Sequence, residues 1–197
     1  VVPMRGWKRR MWFEDTGLPW VAPSPNMPTV ATAAVYPGMC LLEGTHLSEG
    51  RGTTLPFEQF GAPYIDAHKL ADALNREKLS GVYFRPHYFK PTFHKWANQV
   101  CGGAHVHVTD RKTFKAFLTG LAVLRAIGKL YADKFAWRKD PYEFVKDRFA
   151  IDLLYGNSEF RKVFMRGSRS LRDIEASWEA DLKTFKPIRK KHLLYKS

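Results

Sequence analysis

The stretches of this chain that read as β-strand are few and short, and this limits the fold more than any other feature of the sequence. Residues 82–84 form one such stretch, closed by Arg85-Pro86. Residues 104–109 form another, in which Ala104, Val106 and Val108 alternate with His105, His107 and Thr109. That is the period-two pattern of a half-buried strand. Residues 39–42 read as a third, short and buried. So small a sheet needs helices packed on it to be stable. Pro28 suits the first turn of a helix through Tyr36, stopped by Pro37-Gly38. Asp66 is placed to cap a helix through Leu79, with Ala67, Leu70, Ala71 and Leu74 as its apolar stripe. Asp110 is placed to cap the next, in which Phe114, Phe117, Leu118 and Leu121 share a face. Ser170 with Asp173 starts a last helix with the stripe Leu171, Ile174, Trp178, Leu182 and Phe185. The expected class is α+β, or α/β, with a small sheet that another part of a longer protein completes.

A length of 197 residues fits a single domain. Residues 1–27, rich in Trp and Pro, read as an extended arm that packs its rings on a neighbour, with Trp12 and Trp20 as candidate sugar-stacking platforms. Residues 188–195 read as a last strand or arm. The net charge of +13 calls for an acidic partner: nucleic acid, anionic lipid or an anionic polysaccharide. No zinc-finger spacing, RNP-like stretch or basic zipper accompanies the charge, so nucleic acid is not expected. No run approaches the roughly 18 apolar residues of a membrane span. Cys40 and Cys101 both flank apolar segments and read as reduced core thiols, with a disulfide between them left open.

Functional groups concentrate in residues 40–54. This stretch holds Glu43, Thr45, His46, Ser48, Glu49, Arg51, Thr53 and Thr54, with glycines at 44, 50 and 52. The glycines permit positive φ and close approach to a ligand. The plain alternative is an ordered turn whose carboxylates pair with Arg51. Other chemistries fit poorly. Ser48 is outside any G-x-S-x-G elbow, no phosphate-binding loop is present, and neither cysteine has an activating context. His105 and His107 share a strand face, and His87 and His94 lie nearby in sequence, but no cysteine or carboxylate stands at metal-ligand spacing. No metal and no organic cofactor are expected. Glu43 and Glu49 fit better as the two carboxyl groups of a glycoside hydrolase, with Arg51 keeping a near carboxylate charged.

These residues also carry a resemblance. Residues 40–45, 47–54, 56–58 and 61–66 resemble the bacterial exo-β-N-acetylmuramidases, peptidoglycan glycoside hydrolases long known as a domain of unknown function. Residues 18–21, 23–29, 84–86, 101–103, 107–110, 176–179 and 193–195 are similar too. The resemblance implies removal of terminal non-reducing β-1,4-linked N-acetylmuramic acid from peptidoglycan fragments, in the periplasm or outside the cell. It implies Glu43 and Glu49 as catalytic candidates and Asn26, Thr45, His46, Arg51, Thr53 and Thr54 as substrate-binding candidates. His46 stands where the family usually has Asn, and Leu55 where it often has Arg. Family members are about twice this length. By that resemblance residues 1–197 are the C-terminal domain of a two-domain enzyme, whose preceding Rossmann-like domain carries a leading candidate glutamate. The alternative is a non-catalytic binding module for anionic cell-wall glycans.

Overall fold

The computed structural model describes residues 1–166 and 169–195. In chain order the regular elements are α1 (Val30–Met39), β1 (Gln59–Ala62), α2 (Ala67–Arg76), β2 (Val82–Phe89), β3 (Cys101–Val108), α3 (Ala116–Leu130), α4 (Ala150–Tyr155), α5 (Glu159–Arg166), α6 (Leu171–Ala176) and α7 (Glu179–Lys191). Two 3-10 helices, Phe13–Thr16 and Cys40–Gly44, complete the list. The strands form one antiparallel sheet in the order β1-β3-β2. Antiparallel pairing with helices on one side makes the fold α+β and removes the α/β option.

The core lies between the sheet and helices α2 and α3. Phe60, Phe84, Ala104 and Val106 from the sheet meet Leu70 and Leu74 of α2 and Leu121, Leu124 and Ile127 of α3, all buried. Asp66 caps α2 by accepting from the Lys69 amide at 3.0 Å, as its position predicts. α2 also closes the open edge of β2: the Asn75 amide donates to the Phe84 carbonyl at 2.8 Å, and its oxygen accepts from the Phe84 N–H at 3.0 Å. An unpaired sheet edge is a liability, and a side-chain amide mimics the missing strand here. Asn75→Ala is expected to cost about 1–3 kcal/mol, seen as a lower urea midpoint at unchanged slope.

Several local expectations fail for physical reasons. β2 does not end at Arg85-Pro86 but runs to Phe89; an edge strand tolerates a proline, which has no N–H to offer a neighbour. Residues 39–42 are not a strand. α1 continues through Pro37 to Met39 and passes into the 3-10 helix, burying Leu41 and Leu42 in helical geometry. A four-residue apolar run cannot tell these states apart. Asp110 holds the Lys112 amide and the Thr113 hydroxyl in a turn, and α3 begins only at Ala116. The last helix is two. Ser170 and Asp173 make their capping box and α6 buries Leu171 and Ile174, but the chain breaks at Ser177-Trp178. In α7, Leu182 and Phe185 are exposed.

The arm at 1–27 is irregular apart from its 3-10 turn. It docks through Glu14 to Arg111 at 2.8 Å, and Arg111 also covers the Trp12 ring. Residues 188–195 form no strand: α7 continues to Lys191, and Tyr195 packs edge-on against Trp7. Cys40 and Cys101 are free thiols, both pushed up to about 11 by burial. Among the described residues no helix is long and apolar enough to cross a membrane.

Candidate functional site

Buried charge gathers where the 3-10 helix after α1 meets the loop before β1. Nη2 of Arg51 donates to Oε1 of Glu43 at 2.8 Å, and its Nε stands 3.0 Å from Oε1 of Glu49. One guanidinium therefore joins both carboxylates. It lies over the Phe57 ring at 5.0 Å, and Tyr36 of α1 packs edge-on against that ring at 4.8 Å. Glu49 is completely buried. Its Oε2 accepts from Nζ of Lys95 at 3.0 Å, and the same ammonium donates to the Leu42 carbonyl at 3.1 Å. Nδ1 of His94 lies 3.3 Å from Oε1 of Glu49. Neither it nor Nε of Arg51 is aligned on that oxygen, which has no hydrogen-bond partner among the described residues. On the far side, the Tyr142 hydroxyl donates to Oε2 of Glu43 at 2.8 Å.

The electrostatics follow from burial opposed by partners. Burial alone would push Glu49 up, but the His94 imidazole and the Lys95 ammonium outweigh it and hold the carboxyl at about 2. Since the imidazole contact is off-line, the ammonium is the firmer of the two. Burial pulls Lys95 down, against the opposing pull of Glu49. Tyr142 is raised, by burial first and then by its bond to Glu43. At neutral pH Glu49 is therefore a carboxylate and Tyr142 a phenol, which can only donate to Glu43.

Backbone strain clusters around this network. His94, Trp96 and Asn98 all take left-handed φ, at 70°, 59° and 63°, and Phe57 does so at 62°. Such residues persist only where surrounding contacts over-determine them. Here Trp96 Nε1 donates to the His46 carbonyl at 2.6 Å, and the Thr92 N–H donates to the Gly52 carbonyl at 2.9 Å. The segment carrying His94 and Lys95 is thus clamped onto the loop that carries Glu49.

The structure brings together Glu43, Glu49 and Arg51, but uses the other candidates differently. Thr45 is buried, donating to the Leu42 carbonyl and accepting from the Leu47 N–H. Thr53 donates to the Gly50 carbonyl and accepts from Gln59, which pins the turn. His46 and Thr54 are exposed, and the backbone of His46 joins Ala136 and Trp96. Asn26 is half-buried, and its backbone N–H donates to Ser24. The glycines serve the protein's own packing. Gly50 and Gly52 do take positive φ, 78° and 81°, but a Cβ there would meet the Gln59 and Phe93 backbones at 2.6 and 2.7 Å. Gly44 abuts Ile151 of α4 in the same way. Lys95, Tyr36 and Tyr142 were not legible as site residues, and His94 was singled out only among the histidines weighed for a metal. Tyr142 stands 99 positions from Glu43, and no local pattern announces such a contact.

The histidines divide between two places. His94 belongs to the network above. His105 and His107 do share a strand face, with rings 4.0 Å apart, and His87 of β2 lies 5.9 Å from His105. Their ring nitrogens face Arg85: Nε of Arg85 donates to Nε2 of His107 at 3.4 Å, and Nη2 lies 3.3 Å from Nδ1 of His105. A guanidinium stands where an ion would have to bind. Among the described residues no group of three metal-ligating side chains is assembled.

Comparison with known proteins identifies two family models. Residues 34–195 match the family described as "Exo-beta-N-acetylmuramidase NamZ, C-terminal", and residues 1–31 match "Exo-beta-N-acetylmuramidase NamZ, N-terminal". The peptidoglycan beta-N-acetylmuramidase NamZ of Bacillus subtilis strain 168 is 46% identical over 195 residues, covering 99% of this chain and 45% of its own. A DUF1343 family protein of Bacteroides fragilis superimposes with TM-score 0.85 at 33% identity, over 97% of this chain and 49% of that one. A second from the same organism gives TM-score 0.57 at 27% identity, over 89% and 44%. The chain thus spans about half the length of the relatives it matches.

Proposed function

Because the chain belongs to the exo-β-N-acetylmuramidase family, we propose that it is the C-terminal part of a two-domain glycoside hydrolase removing terminal β-1,4-linked N-acetylmuramic acid from peptidoglycan fragments. The observation that carries this reading is the single buried network formed by Glu43, Glu49 and Arg51, all from the motif that bears the resemblance. Glycoside hydrolysis generally places one protonated and one ionised carboxyl on either side of the scissile bond. Glu43 and Glu49 do not flank a bond, because a guanidinium fills the space between them. Glu49 is ionised and sealed off, so its role is positioning: it holds Arg51 and Lys95. Glu43 keeps 12% side-chain exposure and is the carboxylate a sugar can reach. Its negative charge suits the oxocarbenium-like transition state. The proton for the leaving oxygen then comes from elsewhere, and a preceding Rossmann-like domain is the source this reading assigns. Acid–base chemistry of this kind calls for no metal or organic cofactor. The substrate lies outside the cytoplasm, so export to the periplasm or beyond belongs to the proposal.

The test is release of N-acetylmuramic acid from a muramyl-glucosamine disaccharide by the full-length protein. Glu43→Gln is expected to lower kcat/KM tenfold or more with the fold retained. Activity within twofold of wild type would remove this loop from the chemistry. One observation favours a second reading, a non-catalytic glycan-binding module: both carboxylates are already paired with cations. Saturable binding of the disaccharide without any release would establish that reading instead.

A further inference from the structure

Arg51 is the cation nearest the motif, but both Glu43 and Glu49 already engage it. Arg85 is a cation of a different kind, held by imidazoles and not by carboxylates. It projects from the exposed face of β2, opposite His105 of β3 in the strand register, with exposed Tyr83 and half-buried His87 on the same face. Among the described residues no carboxylate lies within ion-pairing distance of it. Its neighbours are Nε2 of His107 at 3.4 Å and Nδ1 of His105 at 3.3 Å. Imidazole nitrogens can accept from a guanidinium only when neutral. His107 meets that condition more readily than a free imidazole, because burial first, and then His105 and Arg85 beside it, pull it down. On the other side of the His105 ring, Nε2 stands 3.8 Å from Oε2 of Glu58. Glu58 in turn accepts from Thr29 at 3.0 Å and Thr32 at 2.5 Å, both at the start of α1. The chain of contacts holds the guanidinium in one orientation while spending none of its charge. Two of its five N–H donors are used, and the rest remain as a fork for a planar anion.

We infer that Arg85, aimed by His105 and His107, binds the carboxylate of an acidic sugar. This rests on the glycosidase reading, whose substrate carries one carboxylate on its terminal residue. Position supports it. A cavity of 230 Å³, lined by His105, His107, Glu58 and Arg111 and not by Arg85 itself, lies on the flank of the two imidazoles. α1 links the two places, with Thr29 and Thr32 at the Glu58 end and Tyr36 at the Arg51 end. At 1.5 Å per residue these ends are about 10 Å apart along the helix axis.

The experiment compares two probes, N-acetylmuramic acid and N-acetylglucosamine, which differ in the lactyl carboxylate. Binding of each to the full-length protein is titrated by calorimetry, alongside disaccharide hydrolysis. Wild type is expected to prefer the acidic sugar by roughly tenfold, the worth of one or two charge-assisted hydrogen bonds. Arg85→Met should erase that preference, and Arg85→Lys should restore only part of it, having charge without the fork. Arg85 is exposed, so the unfolding midpoint of either variant should match wild type. A preference that survives Arg85→Met overturns the inference while hydrolysis leaves the glycosidase reading standing. An Arg85-dependent preference without hydrolysis supports the inference and removes the glycosidase reading. No preference in wild type overturns the inference, whether or not the disaccharide is cleaved.

Discussion

Replacing Glu49 by Gln is expected to cost about 3–5 kcal/mol of folding stability, the usual penalty for removing one partner of a buried ion pair. The substitution changes the shape of the side chain very little. What it removes is the charge that compensates Lys95, whose side chain is only 15% exposed, and half of what holds Arg51. A loss of this size lowers Tm by roughly 6–20 °C in a domain this large. The linkage to pH gives an independent check. Glu49 titrates near 2 when folded, below its ordinary value of 4.5. Its contribution is therefore present in full above about pH 4.5 and is lost as pH falls toward 2. That shift alone amounts to about 3 kcal/mol. In Glu49→Gln the stability–pH curve should be flatter in this acid range. Glu58, also lowered in the fold, keeps some slope there. Glu49→Leu combined with Lys95→Met should recover much of the loss, because it removes both charges at once. A Gln variant as stable as wild type, with an unchanged acid limb, would show that the network contributes nothing to folding.

The second large effect is expected at Gly120→Ala. Gly120 of α3 and Gly38 of α1 touch backbone to backbone. A Cβ on Gly120 would stand 2.1 Å from the Gly38 carbonyl oxygen, and one on Gly38 would stand 1.8 Å from that of Ala116. No side chain lies between the helices to give way, so the helices themselves must separate. Overpacking of this kind costs about 3 kcal/mol. The sign is diagnostic, since the same change at an exposed helical glycine gains about 1 kcal/mol. Denaturant unfolding measures the stability change directly. The displacement would also reach the site, because α1 carries Tyr36 and runs directly into the turn that holds Glu43. Gly120→Ala should therefore lower activity as well as stability, without touching any charged group. A stabilised Gly120→Ala protein would mean that the two helices have room to spare.

Much of the fold was legible because it depends on local patterns. The stripe Ala67, Leu70, Ala71 and Leu74 named the buried face of α2, and Asp66 named its start. Ser170 and Asp173 named the start of α6. The alternation at 104–109 located β3, though three residues short at its beginning, where Cys101, Gly102 and Gly103 show no alternation to read. Residues 39–42 misled because an apolar run that short satisfies strand and helix equally, and only the packing of this turn against α4, α1 and α3 decides between them. The site was legible in part for the same reason. Glu43, Glu49 and Arg51 lie within nine positions of one another, so their chemistry could be read together. Lys95 and Tyr142 could not, since they reach the network only through tertiary packing.

The sequence by itself therefore determined the class of elements, their caps, and the group of charged residues that would matter. Those depend on period, spacing and side-chain chemistry, which survive without any knowledge of distant contacts. Only the tertiary structure decided what each charge does. It placed a guanidinium between the two glutamates, an ammonium under one and a phenol on the other, and left Arg85 held by imidazoles with its charge unspent. The role of an ionisable group is set by the few ångströms around it, and those are filled by residues remote in the chain.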